Sequence, residues 1–140
     1  MKQLYVETSS LLAWLFDEPS AAQVGTILNQ AGFHVASSLT ILEASRNIIR
    51  GQATGLMKAA EADRLRGILA RFAVGCQLRE ITPGIRTRAA QPFPVEPVRS
   101  LDAIHLATAL EFSRLYPEMR VLSRDRRVVE NLDPLGLQSA

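Results

Sequence analysis

The sequence has one cysteine, Cys76, so neither a disulfide framework nor a thiolate metal cage can be built within the chain. With Val74 and Leu78 as neighbours, Cys76 reads as a small buried residue in or near a strand. Long apolar runs are also missing. The longest stretches fall far short of the roughly 20 residues needed to span a bilayer. The start, Met1-Lys2-Gln3-Leu4-Tyr5-Val6-Glu7, enters a strand pattern directly with no secretory h-region, so the protein is expected to be cytoplasmic with no membrane association. No glycine-rich phosphate cradle and no nucleophile elbow occur, which sets aside nucleotide-driven and serine-hydrolase chemistry. His34, Cys76 and His105 lack zinc-ligand spacing, and His105 is expected to be structural or on the surface.

An excess of one charge is lacking too. The 16 basic and 14 acidic residues give a formal net charge of +2, too near balance to announce a nucleic-acid binder. Lysine is scarce, because Lys2 and Lys58 are the only lysines among the 16 basic residues. An arginine-dominated set suits bidentate phosphate contacts, although a GC-rich genome would produce the same bias.

What is present is an ordinary globular balance, 47% hydrophobic and 21% charged over 140 residues. That length fits one domain, residues 1–140, with a core that needs no staples. Gln3 to Val6 reads as a strand, and Thr8 and Ser9 offer an N-cap for a helix through Leu11, Leu12, Trp14, Leu15 and Phe16, ended by Asp17-Glu18-Pro19. A helix from Ser20 to Ala31 is closed by Gly32, and Phe33 to Ala36 forms strand two. Ser37 and Ser38 cap a helix running through Leu42 and Ile49 and stopping at Gly51. Met57 to Phe72 has helical spacing, Cys76 to Ile81 is a strand, and Pro83 opens a short helix. Gln91 to Val98 carries three prolines and is expected to be an extended loop. Leu101 to Leu115 is a helix apolar nearly all round, Arg120 to Leu122 a strand, Asp125 to Leu132 a helix, and Gly136-Leu137 the start of an edge strand. This alternation predicts an α/β fold with a mostly parallel sheet covered on both faces, although periodicity leaves the strand order open.

Four acids fall at informative points on this map. Glu7 ends strand one, Glu43 lies early in the helix after strand two, Asp102 sits in the first turn of the apolar helix, and Asp125 follows the strand ending at Leu122. The C-terminal strand ends of a parallel sheet share one edge, where ligands bind. Asp102, which follows the proline-rich loop, is tied to that edge less directly. Three of the acids also have a purely structural explanation. Thr40-Ile41-Leu42-Glu43 matches a capping box, while Asp102 and Asp125 can complement helix dipoles. Glu7 has no cap to explain it. Clustered carboxylates repel unless a cation neutralises them, and an all-oxygen set suits Mg²⁺ or Mn²⁺. Such an ion can make water nucleophilic and stabilise the charge that builds on a phosphate.

At these residues the sequence resembles the PIN-domain family, especially its VapC-type toxin branch. Tyr5-Val6-Glu7-Thr8-Ser9-Ser10-Leu11-Leu12 is similar to the opening motif, and Leu39-Thr40-Ile41-Leu42-Glu43 to the second. Leu101-Asp102-Ala103-Ile104-His105-Leu106-Ala107-Thr108-Ala109-Leu110 is very close to the third, and Val121-Leu122-Ser123-Arg124-Asp125-Arg126-Arg127 resembles the fourth. The resemblance implies a three-layer α/β/α fold and a metal site of Glu7, Glu43, Asp102 and Asp125. It also implies an Mg²⁺- or Mn²⁺-dependent endoribonuclease, often a homodimer, silenced by a small cognate antitoxin. Ser9 matches a family serine that can hold a metal-associated water, or it simply caps a helix. Ser123, Arg124 and Arg126 are accessory candidates, the arginines for RNA phosphate or as a solvated charged face. Leu11 to Phe16 is more apolar than one buried helix face requires, so part of it can form a partner groove beside its core role. The family's first acid is usually Asp, and the extra methylene of Glu7 predicts weaker holding of Mg²⁺ than of Mn²⁺. Two other readings stay open: a catalytically weak PIN domain that binds RNA or protein, and a DNA nuclease.

Overall fold

Leu4, Tyr5 and Val6 are all fully buried because their strand, β1 (Gln3–Val6), is the middle one of five. The computed structural model describes residues 2–140. Its strands β2 (Phe33–Ser37), β3 (Cys76–Arg79), β4 (Arg120–Leu122) and β5 (Gln138–Ser139) complete a sheet of order β3-β2-β1-β4-β5, parallel at every pairing. The two-residue side-chain period of a strand then divides the core. Leu4 and Val6 join a cluster with Leu11 of α1 (Thr8–Leu15), Val24 of α2 (Ala21–Gln30), Ile48 of α3 (Ser38–Ala53) and Leu65 of α4 (Ala59–Gly75). Tyr5 points the other way, into a cluster with Phe112 of α6 (Ser100–Leu115) and Leu132 of α7 (Arg126–Leu132), while α5 (Pro83–Ala89) packs on α6. The result is the expected three layers. No helix of the described residues is long and apolar enough to cross a membrane.

The strand order locates the crevice. The chain winds from β1 to β2 to β3 in one direction and then returns to β4 on the other side of β1. Crossovers of one hand that run in opposite directions place their helices on opposite faces. The helices that follow β1 and β4 therefore diverge, and a gap opens at the C-terminal ends of these two neighbours.

Several boundaries differ from those the sequence predicts. The helix expected to stop at Gly51 continues to Ala53. Leu56 N–H bonds to Gly51 O at 2.8 Å and Gly55 N–H to Gln52 O at 3.2 Å, a paired closure that requires the left-handed Gly55, φ +79°. Gly51 serves packing instead, since a Cβ there would lie 2.8 Å from Met57 Cε. That fold-back delays α4 to Ala59, and α4 then runs on to Gly75. Strand β3 ends at Arg79 rather than Ile81, because pairing with β2 ends at Ser37↔Arg79. The last strand starts one residue beyond Leu137, after the left-handed Gly136. Cys76 is half-buried where β3 opens, not a core residue, and burial still pushes its thiol up to about 12. Helix α6 is not buried all round, because Leu101 and Leu115 reach solvent.

Candidate active site

Each of the four acids is set by a local structural demand. Glu7 is the N-cap of α1, so the expectation that no cap explains it, and that Thr8 or Ser9 serves instead, is corrected. Its longer arm folds back so that Oε2 accepts Ser9 N–H at 3.0 Å, the Ser9 hydroxyl, and the Ser123 hydroxyl at 2.8 Å. Ser9 Oγ in turn accepts Arg124 N–H at 2.8 Å, and Ser123 Oγ accepts Asp125 N–H at 3.0 Å. The β1 and β4 ends are thereby laced together across the gap.

Glu43 takes no part in a capping box, because α3 starts earlier. Its N-cap is Ser37, whose hydroxyl accepts Leu39 N–H at 3.1 Å. Glu43 therefore sits in the second turn, where its Oε1 accepts Thr8 Oγ1 at 2.6 Å and meets His105 Nε2 at 2.8 Å. Burial alone would raise the Glu43 carboxyl, but the hydrogen bonds from His105 and Thr8 hold it below its ordinary value.

Asp102 reaches the site because the proline-rich loop before it is anchored. Asn131 of α7 accepts Val95 N–H at 2.8 Å and donates to Val95 O at 3.0 Å, and Phe93 is buried below. Glu96 accepts Phe93 N–H at 2.9 Å and Val98 N–H at 2.7 Å, which closes the loop on itself just ahead of α6. Asp102, itself buried, meets Arg99 Nε at 3.3 Å. Asp125 is the N-cap of α7, accepting Arg127 N–H at 2.9 Å, and it meets Arg99 Nη2 at 3.4 Å. The capping and dipole readings of Asp102 and Asp125 thus coexist with a place in the cluster.

All four acids line one cavity of about 440 Å³, together with Thr8, Ser9, Arg99 and His105. They form two pairs, each sharing a nitrogen side chain. His105 Nε2 lies 2.8 Å from Glu43 and 4.0 Å from Glu7, while Arg99 spans Asp102 and Asp125. A larger groove of about 720 Å³, between the end of α1 and helices α3 and α4, shares only Asn47 with this cavity. The smaller one is the candidate site, because it alone collects the four motif acids. Within the Leu11 to Phe16 segment, Leu11 and Leu15 are buried, and Leu15 and Phe16 also line the larger groove.

The donor set is all oxygen, which fits Mg²⁺ or Mn²⁺ in kind. Among the described residues no three His, Cys, Asp or Glu side chains converge closely enough to hold a metal as they stand. To hold such an ion, Asp102 and Asp125 would have to exchange the Arg99 fork for it. Arg124 and Arg126 do not line the cavity, and the Arg126 side chain is committed to Glu130 at 2.6 Å. Sequence reasoning missed Arg99, whose signal was its place three residues before Asp102. It also missed that His105, 1% exposed, is tied to an acid of the site.

A family profile described as PIN domain matches residues 4–132. Among solved structures, the chain is similar to FitAB bound to an IR36 DNA fragment, with 18% identity and a TM-score of 0.69 over 98% of this chain and 93% of that one. It is also similar to VapBC2 from Rickettsia felis bound to a DNA fragment from their promoter. There the identity is 9% and the TM-score 0.61, over 99% of this chain and 97% of that one. Identities this low speak to the fold alone. A comparison with curated proteins gives no match.

Proposed function

The chain belongs to the PIN-domain family, and from that premise we propose that it is an Mg²⁺- or Mn²⁺-dependent endoribonuclease, the toxin of a toxin–antitoxin pair. One observation carries the reading: Glu7, Glu43, Asp102 and Asp125 line a single cavity at the point where the sheet reverses its winding. These four residues would hold the ion, which would supply a polarised water and offset charge on the scissile phosphate. The chain's own residues prepare that chemistry. Ser9 and Ser123 fix Glu7, Thr8 and His105 fix Glu43, and the anchored loop presents Asp102. Arg124 and Arg126, both exposed beside Asp125, would meet RNA phosphates along the rim.

The larger groove, with Leu15 and Phe16 on its wall, suits an amphipathic segment of a small antitoxin. The exposed Leu42 and Ile49, one heptad apart on α3, suit a second copy of the chain. The reading places the protein in the cytoplasm, where its RNA substrate is. A second reading, a weakly catalytic PIN domain that binds RNA or protein, is favoured by the span of Arg99 across two of the acids.

Incubation of matched RNA and DNA with purified protein separates these readings. Cleavage of RNA with Mg²⁺ or Mn²⁺, lost in chelator and nearly abolished by Asp102→Asn and by Asp125→Asn in folded protein, is expected. Unchanged cleavage by both variants, or in excess chelator, overturns the metal mechanism. RNA binding without cleavage under all metals favours the second reading, and cleavage of DNA alone reassigns the substrate.

A further inference from the structure

His105 is buried on α6 one turn beyond Asp102, and both its ring nitrogens are engaged. Nε2 lies 2.8 Å from Glu43 Oε1 and 3.1 Å from Thr8 Oγ1, and Nδ1 lies 2.9 Å from the Tyr5 hydroxyl. A carboxylate only accepts, so the hydrogen must sit on Nε2. In the neutral ring Nδ1 is then an acceptor, and the Tyr5 hydroxyl donates to it. Tyr5 is suited to that task, since its fully buried phenol lies within hydrogen-bond distance of Nδ1 and carries a hydrogen to donate. It also comes from β1, the most constrained strand of the sheet.

We propose that Tyr5 and His105 form a buried positioning relay: Tyr5 anchors the His105 ring through Nδ1 and, through it, the orientation of the Glu43 carboxylate. Donation from His105 and Thr8 converges on Oε1, while no protein group bonds Oε2 among the described residues. Oε2 is therefore the oxygen presented to the cavity. The second oxygen of Glu43 is free because the first is held from behind. Tyr5 does not line the cavity, and His105, which does, is 1% exposed. They act through Glu43, so the inference rests on the proposed role of Glu43 at the site.

Two measurements on the full chain test it. In metal-free protein, long-range proton–nitrogen correlation spectra should show His105 with hydrogen on Nε2 only. Tyr5→Phe, which removes a single oxygen, should leave that hydrogen in place but shift the Nδ1 resonance, because the donor to Nδ1 is gone. In Mn²⁺ titrations by calorimetry, His105→Leu should weaken binding by about tenfold or more, the usual loss for a partner behind a metal ligand. His105→Gln, which restores an N–H toward Glu43, should recover most of that loss. A merely structural histidine would give no such selective recovery. If His105→Leu does not fold, Tyr5→Phe takes its place in the titration, with a smaller loss expected. Hydrogen on Nδ1 in the wild-type protein, or wild-type Mn²⁺ affinity in folded His105→Leu or Tyr5→Phe, overturns the relay. If wild-type protein binds no Mn²⁺, the metal reading fails, and the tautomer alone then decides the relay.

Discussion

The Ser123 hydroxyl donates to Glu7 Oε2 at 2.8 Å, joining two residues 116 positions apart in the sequence. It crosses the gap between β1 and β4 where the helices diverge, so it is both a fastening of the sheet and a support for a buried acid. A hydrogen bond to a buried charged group is worth about 1.5–3 kcal/mol. Ser123→Ala should therefore destabilise metal-free protein by about that amount in urea unfolding. In a Glu7→Gln background the same substitution should cost clearly less, because the charge is gone. Equal costs in both backgrounds would show that Ser123 acts on something other than Glu7.

Glu7 in place of the family's usual Asp predicts a loose ligand, but the structure shows the longer arm fitted to three donors from Ser9 and Ser123. Shortening it by one carbon withdraws the carboxylate from the Ser123 hydroxyl. Glu7→Asp is therefore expected to cleave RNA less well at every Mg²⁺ and Mn²⁺ concentration, not better. A metal titration of both forms decides this. Stronger Mg²⁺-dependent cleavage by Glu7→Asp would restore the loose-ligand expectation.

Arg99, whose side chain is 65% exposed, sits between Asp102 and Asp125 and would compete for the carboxylates with any bound ion. Arg99→Gln should lower the half-saturating Mn²⁺ concentration by roughly threefold to tenfold, a modest change because an exposed ion pair is weak. It should also lower the melting temperature in chelator, since buried Asp102 loses its cation, and saturating Mn²⁺ should restore that loss. An unchanged metal requirement would show that the arginine leaves the site at no cost.

The Glu43 carboxyl is held below its ordinary value, which fixes a sign for acid stability. An unfolded chain binds a proton at Glu43 near the usual glutamate value of about 4.3, whereas the folded chain resists doing so. Stability from this group is therefore present above that value and lost as the pH falls through the lower folded one. In chelator, wild-type protein should lose more stability between pH 6 and 3 than Glu43→Gln, measured by urea unfolding at each pH. Parallel losses in the two proteins would remove the His105 and Thr8 bonds as the cause.

Much of the fold was legible because strands and helices leave periods in the sequence. Leu4, Tyr5 and Val6 read as a strand, Asp125 falls at a helix start, and the three prolines mark the loop. What escaped is decided by contacts that no period encodes. Glu7 ends a strand and starts a helix at once, so a strand reading hides its capping role. Gly51 looks like a helix stop, but only the packed Met57 reveals that it is a space and that Gly55 is the stop. The bond from His105 to Glu43 spans 62 residues and its bond to Tyr5 spans 100, so its burial and its partners both depend on the assembled sheet. The four acids were legible as a set, but their division into pairs around Arg99 and His105 was not.

The strand order also sets a schedule for synthesis. β1 is synthesised well before β4, which starts at Arg120, so one of its two edges waits for that later strand. Until then the central strand of the nascent chain has an open side, the exposed state in which long-range sheets are slow and prone to aggregate. The last acid of the cavity, Asp125, arrives just after β4. A chain interrupted before Arg120 thus has neither a closed sheet nor a complete acidic cluster.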